Sequence, residues 1–365
     1  MINFQTPISS LGYGVAGYNI FKEIIKIHPS TALYPISTPE FIDKHVEQGM
    51  ANRGQYKLTT DQQIPFPSVK IWHQNDVHTQ IGKGKHIGFP IFELTEFSEE
   101  EKLSMSHCDT LFVCSQWAKE ILIEQGFCPV HVVPLGVDTE IFKPHLGSRD
   151  ATIFFNCGKW EVRKGHDILI ECFNAAFEPR DNVELWMMCD NPFIGQMNDQ
   201  WKSLYKNSKL GDKIKFIPRQ NTHEDVYNVM KQADCGVFPA RAEGWNLELL
   251  EMMACGKDVI ATNYSAHTEF CNKDNCYLVD IDELERAYDG VFFSGEYGEW
   301  ARINDSAKSQ FVEHMRTVHG IKEQYTNSWS QDMRDKLLKN HAGIKTANKF
   351  TWENSAKELI NGLKL

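Results

Sequence analysis

Short apolar runs alternate along this chain with segments whose apolar residues recur every three to four positions. That alternation predicts α/β layers built around largely parallel sheets. The runs place strands at 69–72, 110–114, 130–133, 153–157, 183–189, 214–217, 235–238, 258–261 and 276–279, most of them leading into a helix-period segment. From 296 to 348 the pattern turns polar and helical with no strand signal. A further amphipathic helix then opens at 350–355, with Ala356, Leu359, Ile360 and Leu363 on one face. Pro144 and the turn-forming residues that follow it precede a fresh strand, so the pattern divides the chain near residue 148, into 1–148 and 149–346.

Composition agrees with two folded units. At 365 residues, 42% hydrophobic and 24% charged, the chain is long enough for two domains that each bury a core without metal or disulfide staples. A net charge of −11 disfavours phosphate backbones and anionic lipid, leaving only local cationic sites. The ten cysteines are scattered, several in apolar runs such as those of Cys114 and Cys157, and read as free buried thiols. Cys271 and Cys276 have neither a second pair nor a histidine pattern to make a zinc site, and no metal is expected. The first residues lack a basic, apolar leader and no apolar stretch reaches bilayer length, so a cytoplasmic location is expected.

Two stretches carry chemistry. The strand at 153–157 runs into Gly158-Lys159-Trp160-Glu161-Val162-Arg163-Lys164-Gly165, and a helix with Ile168, Leu169, Cys172 and Phe173 at helical spacing follows. A glycine-flanked loop with three cations before a helix N-terminus suits an anion, because free N–H groups and the helix dipole both favour negative charge. Lys159 and Lys164 are the candidate diphosphate ligands; the alternative is that they are solvated surface cations. The strand at 235–238 leads to Glu243-Gly244-Trp245-Asn246-Leu247, then to a helix with Asn246 as N-cap, Glu251 one turn inside and Gly256 at its end. Two carboxylates flanking a helix start suit sugar hydroxyls beside a phosphate, since a carboxylate only accepts hydrogen bonds. Exposed acids on a helix face are the alternative.

Glu243 and Glu251 form an E-x7-E element between Phe238-Pro239-Ala240-Arg241 and Ala254-Cys255-Gly256-Lys257. Val133-Pro134-Leu135-Gly136-Val137-Asp138, Gly158-Lys159, Lys164-Gly165 and Phe350-Thr351-Trp352-Glu353 stand in matching order around it. Together these motifs, over residues 88–365, resemble glycosyltransferase family 4, the retaining group 1 glycosyltransferases. The resemblance implies a GT-B architecture: two Rossmann-like, doubly wound α/β domains facing across a cleft, with the C-terminal helix at 350–365 crossing back to complete the N-terminal acceptor domain. The donor nucleotide then belongs to 149–346. Glu243 would contact the donor sugar, Glu251 the ribose, and Lys159 and Lys164 the diphosphate. Transfer would retain anomeric configuration without an obligatory metal, the lysines stabilising charge on the departing diphosphate.

Two departures from the family stand out. Lys159 occupies a position usually held by Arg, keeping the charge and losing the planar fork. The usual Gly-Phe-Gly-x-Pro run reads Gly244-Trp245-Asn246-Leu247-Glu248, so the Asn246 amide is expected to contact the donor where a glycine would let phosphate reach the backbone. Near the start, Gly12-Tyr13-Gly14-Val15-Ala16-Gly17 matches G-x-G-x-x-G, but it is too far from the preceding strand-like run, and no acid follows for an adenosine ribose. The resemblance places Gly12 and Gly14 instead in a glycine-rich loop beside donor diphosphate or acceptor. His73 and His78 follow the strand at 69–72 and are candidates for facing a ligand, against the alternative of satisfied structural histidines. Glu93 resembles a cleft-facing glutamate of some relatives.

These observations make a hexosyltransferase the leading expectation, with a UDP- or GDP-sugar donor and a glycan or small-molecule acceptor. The alternatives are a GT-B enzyme acting on modified DNA bases, which the net charge opposes, and a non-catalytic nucleotide-sugar binding protein. Lys22 and Lys26 lie beside Phe21, Ile24 and Ile25, but Glu23 interrupts them, so at most weak peripheral membrane contact is expected.

Overall fold

The structure, a computed structural model, describes residues 2–40, 65–147, 150–328, 330 and 339–363, the side chains of 326–328 excepted. It divides into two compact units: Met1–Val137 with Lys349–Leu365, and Asp138–Asn348. The cut near residue 148 read from the turn chemistry lies outside the described residues. The stretch just before it packs on the second unit: the His145 N–H donates to Cys255 O at 3.0 Å, and the Phe142 ring lies 6.3 Å from that of His223.

The first unit is a six-stranded sheet in the order β2-β1-β3-β4-β5-β6. Its strands are β1 (Asn3–Thr6), β2 (Ala32–Pro35), β3 (Ser68–Trp72), β4 (His86–Pro90), β5 (Thr110–Val113) and β6 (Val130–Val132), all pairing in parallel. Helices α1 (Gly12–Ile27), α2 (Glu99–Ser106) and α3 (Gln116–Glu124) connect them. Ser115 caps α3 by accepting from the Ala118 N–H at 3.2 Å. The closing helix (Trp352–Gly362) belongs to this unit and packs on α1, burying Ala356, Leu359 and Leu363 as their spacing predicts.

The second unit repeats the plan, with a parallel sheet in the order β12-β11-β10-β7-β8-β9. The strands are β7 (Thr152–Gly158), β8 (Val183–Cys189), β9 (Ile214–Phe216), β10 (Cys235–Phe238), β11 (Asp258–Thr262) and β12 (Tyr277–Val279). Helices cover both faces of such a sheet, so its strands read as continuous apolar runs. Ile153, Phe154 and Phe155 are accordingly all buried. Helix α4 (His166–Ala176) turns Leu169, Cys172 and Phe173 into the same core, where Phe154 and Trp160 are fully buried, and helices α5 (Gly195–Lys206) and α6 (His223–Met230) follow it in the chain. Among the described residues no helix is long and apolar enough to cross a membrane.

The strand pattern missed four places. β1, β2 and β4 are short; β1 and β4 carry polar residues, Asn3, Gln5 and His86, that broke the apolar runs, and β2 is four residues ending in Pro35. The stretch from 296, expected to be helical, continues strand β14 (Ser294–Ala301), which pairs antiparallel with β13 (Leu284–Tyr288). Its period of two is hidden because few positions of the hairpin are buried, among them Ala287 and the adjacent Trp300 and Ala301, with glycine and glutamate between. The Asp289 carboxylate closes the turn by accepting the N–H groups of Val291, Phe292 and Phe293.

Gly165 shows how tightly the second unit is closed. It precedes α4 at φ 70°, and a Cβ there would lie 1.8 Å from Pro239 O. Gly165→Ala is therefore expected to lower the stability of this unit by about 2 kcal/mol or more. Gly195→Ala, where nothing lies within 4 Å, should change it by less than about 1 kcal/mol. Urea denaturation of both variants checks this; equal midpoints would show that the loop can shift.

Candidate functional site

The site grows from one pairing. β7 and β10 are parallel neighbours, with Cys235 opposite Phe154, so the loops after them emerge side by side at the carboxyl edge of the sheet. Backbone hydrogen bonds join the loops: the Arg241 N–H donates to Arg163 O at 2.7 Å. Arg163 reaches across, donating to Ala242 O at 2.8 Å and to Glu243 Oε2 at 2.9 Å, while its other terminal nitrogen donates to Glu161 Oε2 at 2.7 Å. Lys164 donates to Glu243 Oε1 at 2.8 Å, and Lys159 Nζ lies 2.7 Å from Glu161 Oε1. Gly158 ends β7 against the Lys164 side chain.

The electrostatics follow from burial and these contacts. Burial pulls the Glu243 carboxyl upward, but Lys164 and Arg163 outweigh it and hold the group down at about 2. Burial disfavours the charged Lys164, yet Glu243 and Glu248 raise it above the ordinary lysine value. Glu161 is opposed by burial and lowered by Arg163 and Lys159. His166, fully buried behind the loop, is pushed down to about 3 by burial and by Lys164, so its ring is neutral.

The second loop ends in helix α7 (Leu247–Ala254). Asn246 caps it at φ 78°, its Oδ1 accepting from the Leu249 N–H at 3.2 Å. The Asn246 Nδ2 lies 2.9 Å from His267 Nε2, whose Nδ1 lies 3.0 Å from Thr262 O, a geometry that fits a neutral ring protonated at Nδ1. The Asn246 amide, expected to face a donor, is thus engaged by the cap and by His267. Trp245 is buried against Phe270 at 5.0 Å. The Glu243 N–H donates to Ser265 Oγ at 2.9 Å, which fixes the backbone beside Gly244. Glu251 lies on α7, makes no side-chain hydrogen bond or ion pair among the described residues, and is pushed well up by burial and by Glu248.

The structure therefore brings Lys159, Lys164, Glu243, Gly158, Gly244 and Leu247 together in one unit. Sequence reasoning counted Arg163 among the loop cations without giving it a role, and missed Glu161, Ser265 and His267. The alternation Lys159, Glu161, Arg163 was a visible signal for the first two. Nothing in the local pattern pointed to His267.

In the first unit, Gly12 opens α1 at the carboxyl edge of its sheet. A Cβ on Gly14 would lie 2.3 Å from Ser9 N, so this glycine serves close packing of the helix start on the loop before it. The Tyr13 hydroxyl donates to Ile91 O at 2.5 Å and its ring lies 4.7 Å from that of His73. Gly12, His73 and the segment leading to Glu93 thus share one edge. His78 goes elsewhere: its Nδ1 lies 2.9 Å from Ser104 Oγ on α2, and its ring is 5.9 Å from that of His107. Among the described residues no group of three or more potential ligands could hold a metal ion. All ten cysteines are free thiols.

Two Rossmann-like parallel sheets of this kind make the fold GT-B. Residues 137–291 match the model of the family Glycosyl transferases group 1, the family that the motifs resemble. It is 27% identical to an MMP alpha-(1->4)-mannosyltransferase of Mycolicibacterium hassiacum, over 71% of this chain and 59% of that protein. It is 24% identical to a GDP-mannose-dependent alpha-(1-6)-phosphatidylinositol dimannoside mannosyltransferase of Mycobacterium tuberculosis, over 47% of this chain and 45% of that one. The chain spans about half the length of the curated relatives it matches. Among solved structures, Anabaena HepE in complex with UDP-glucose superposes with a TM-score of 0.71 at 13% identity, covering 100% of this chain and 99% of that one.

The depressed Glu243 carboxyl makes stability depend on pH. Its folded value of about 2 lies below the ordinary 4.5, so its contribution is complete above 4.5 and is lost as pH falls toward 2. Glu243→Gln should therefore be less stable than wild type near neutral pH, by on the order of 3 kcal/mol, with the gap narrowing as pH drops to about 3. Urea denaturation at both pH values checks the sign; a gap independent of pH would contradict it.

Proposed function

We propose that this protein transfers a hexose from a nucleotide-diphosphate sugar, with UDP or GDP as the nucleotide, to a glycan or small-molecule acceptor with retention of anomeric configuration. The observation that carries this reading is the pairing of Glu243 with Lys164 at the mouth of two adjacent strands, beside the start of α7. An ionised carboxylate can accept only, which suits the hydroxyls of a hexose. Lys159 and Lys164, with the N–H groups at the α7 start, face the charge that grows on a departing diphosphate, where preorganised positive charge has its largest effect. These residues supply that charge without calling on a metal. Glu251, which makes no side-chain hydrogen bond or ion pair among the described residues, is assigned to the ribose hydroxyls. Gly158, Gly244, Trp245 and Leu247 shape the donor loops, and Asn246 acts by fixing the α7 start.

The relatives support the same direction. One of them carries GDP-mannose dependence in its name, and a solved structure of the same fold holds UDP-glucose. The first unit is assigned to the acceptor, with Gly12, Gly14, His73 and Glu93 at its sheet edge; His78 has a structural partner in Ser104.

A thermal-shift screen against UDP, GDP, ADP, CMP and their sugar conjugates tests the donor class. Ligand at a hundred times its dissociation constant stabilises by about 2.7 kcal/mol, and a selective rise with one nucleotide diphosphate is expected. Once a donor is found, Glu243→Ala and Lys164→Ala should each slow transfer by about 100-fold or more. Near-normal turnover in both variants overturns the assignment.

A further inference from the structure

Five charged side chains form one alternating chain: Lys159, Glu161, Arg163, Glu243, Lys164. The successive N to O distances are 2.7, 2.7, 2.9 and 2.8 Å. Burial is deepest in the middle, with the Glu161, Arg163 and Glu243 side chains 4, 6 and 7% exposed, against 34% for Lys159 and 11% for Lys164. Each carboxylate gives one oxygen to Arg163 and the other to a lysine. A lysine that leaves a buried carboxylate with no other partner is held back by the cost of the orphaned charge. Here Arg163 remains on both carboxylates whichever lysine departs. Its planar fork can meet two acceptors in different directions, and its Nη1 bond to Ala242 O fixes it in place.

We propose that Arg163 is a positioning residue that holds Glu161 and Glu243 so that Lys159 and Lys164 can turn to the anionic part of the ligand. This rests on the nucleotide-diphosphate reading of the site. The other groups facing Glu243 are Ser265, which accepts from its N–H, the neutral His267, and Glu248, 4.0 Å from Lys164. None of them can replace a cation between the two carboxylates.

Calorimetric titration of the full chain with UDP, GDP and inorganic pyrophosphate tests this, with circular dichroism and the thermal transition confirming that each variant folds. Arg163→Met should weaken binding about 10-fold or more, because both lysines become the sole cations on buried carboxylates. Adding Glu161→Gln should recover part of that loss, about 3-fold or more, since the charge that traps Lys159 is gone while Lys164 stays on Glu243. The affinity of Arg163→Met relative to wild type at the same pH should rise between about pH 7 and pH 5 as its carboxylates protonate more readily, a ratio from which the probe's own protonation cancels. Should Arg163→Met not fold, Arg163→Lys serves: it keeps the charge without the fork, and its affinity should fall several-fold and recover with Glu161→Gln. Folded Arg163 variants that bind as wild type does, or a double variant no better than the single, overturn the proposal. Wild type that binds none of the three probes overturns the donor reading beneath it.

Discussion

The site depends on two strands far apart in sequence lying side by side. β7 and β10 pair in parallel, and the loops that leave them carry Lys164 and Glu243, 79 residues apart in the chain yet hydrogen-bonded at 2.8 Å. Neither residue would keep its charge at such burial alone, because removing an ion from water costs several kcal/mol. The pair, with Arg163 beneath it, satisfies both. Every other feature of the second unit serves to hold that geometry: the apolar strands fix the register, Gly165 lets the first loop close on Pro239, and the Asn246 cap sets where α7 begins.

The same arrangement explains why the site is rigid. Hydrogen bonds from Arg163 tie its side chain to Ala242 O and to two carboxylates, and the Glu243 N–H is fixed by Ser265. Behind the loop, neutral His166 lies between Glu161 O and Asn156 Oδ1, so no second charge competes with Lys164 from the core side. Preorganisation of this kind keeps the two carboxylates and Arg163 in place, so that a ligand need draw on the lysine side chains alone. The two units repeat one principle, placing polar loops at the carboxyl edge of a parallel sheet. They differ in content: the edge of the first unit is aromatic, with Tyr13, Trp72 and His73 clustered, whereas that of the second is ionic.

Local patterns made most of this legible. Strands at Val183–Cys189 and Cys235–Phe238 stand where the apolar runs put them, and Ser115, Asn246 and Gly256 end or begin helices as their side chains and backbone freedom require. The hairpin of β13 and β14 escaped because a ribbon with few buried positions and interspersed glycines has no apolar run to find. His73 and His78 show the same limit at single residues. Five positions apart in one polar stretch, they are sent to different neighbours, one to Tyr13 and the other to Ser104 on α2.

The sequence by itself determined most of the elements, the parallel α/β class and the residue types at the donor loops, because periodicity, capping and glycine placement act over a few neighbours. Only the tertiary structure decided how the charges pair. Arg163 reads as an ordinary loop residue until β7 and β10 lie together, since Glu243, the carboxylate that joins it to the second loop, is 80 residues away in the chain, and Coulomb interaction depends on that distance and on the water excluded around it.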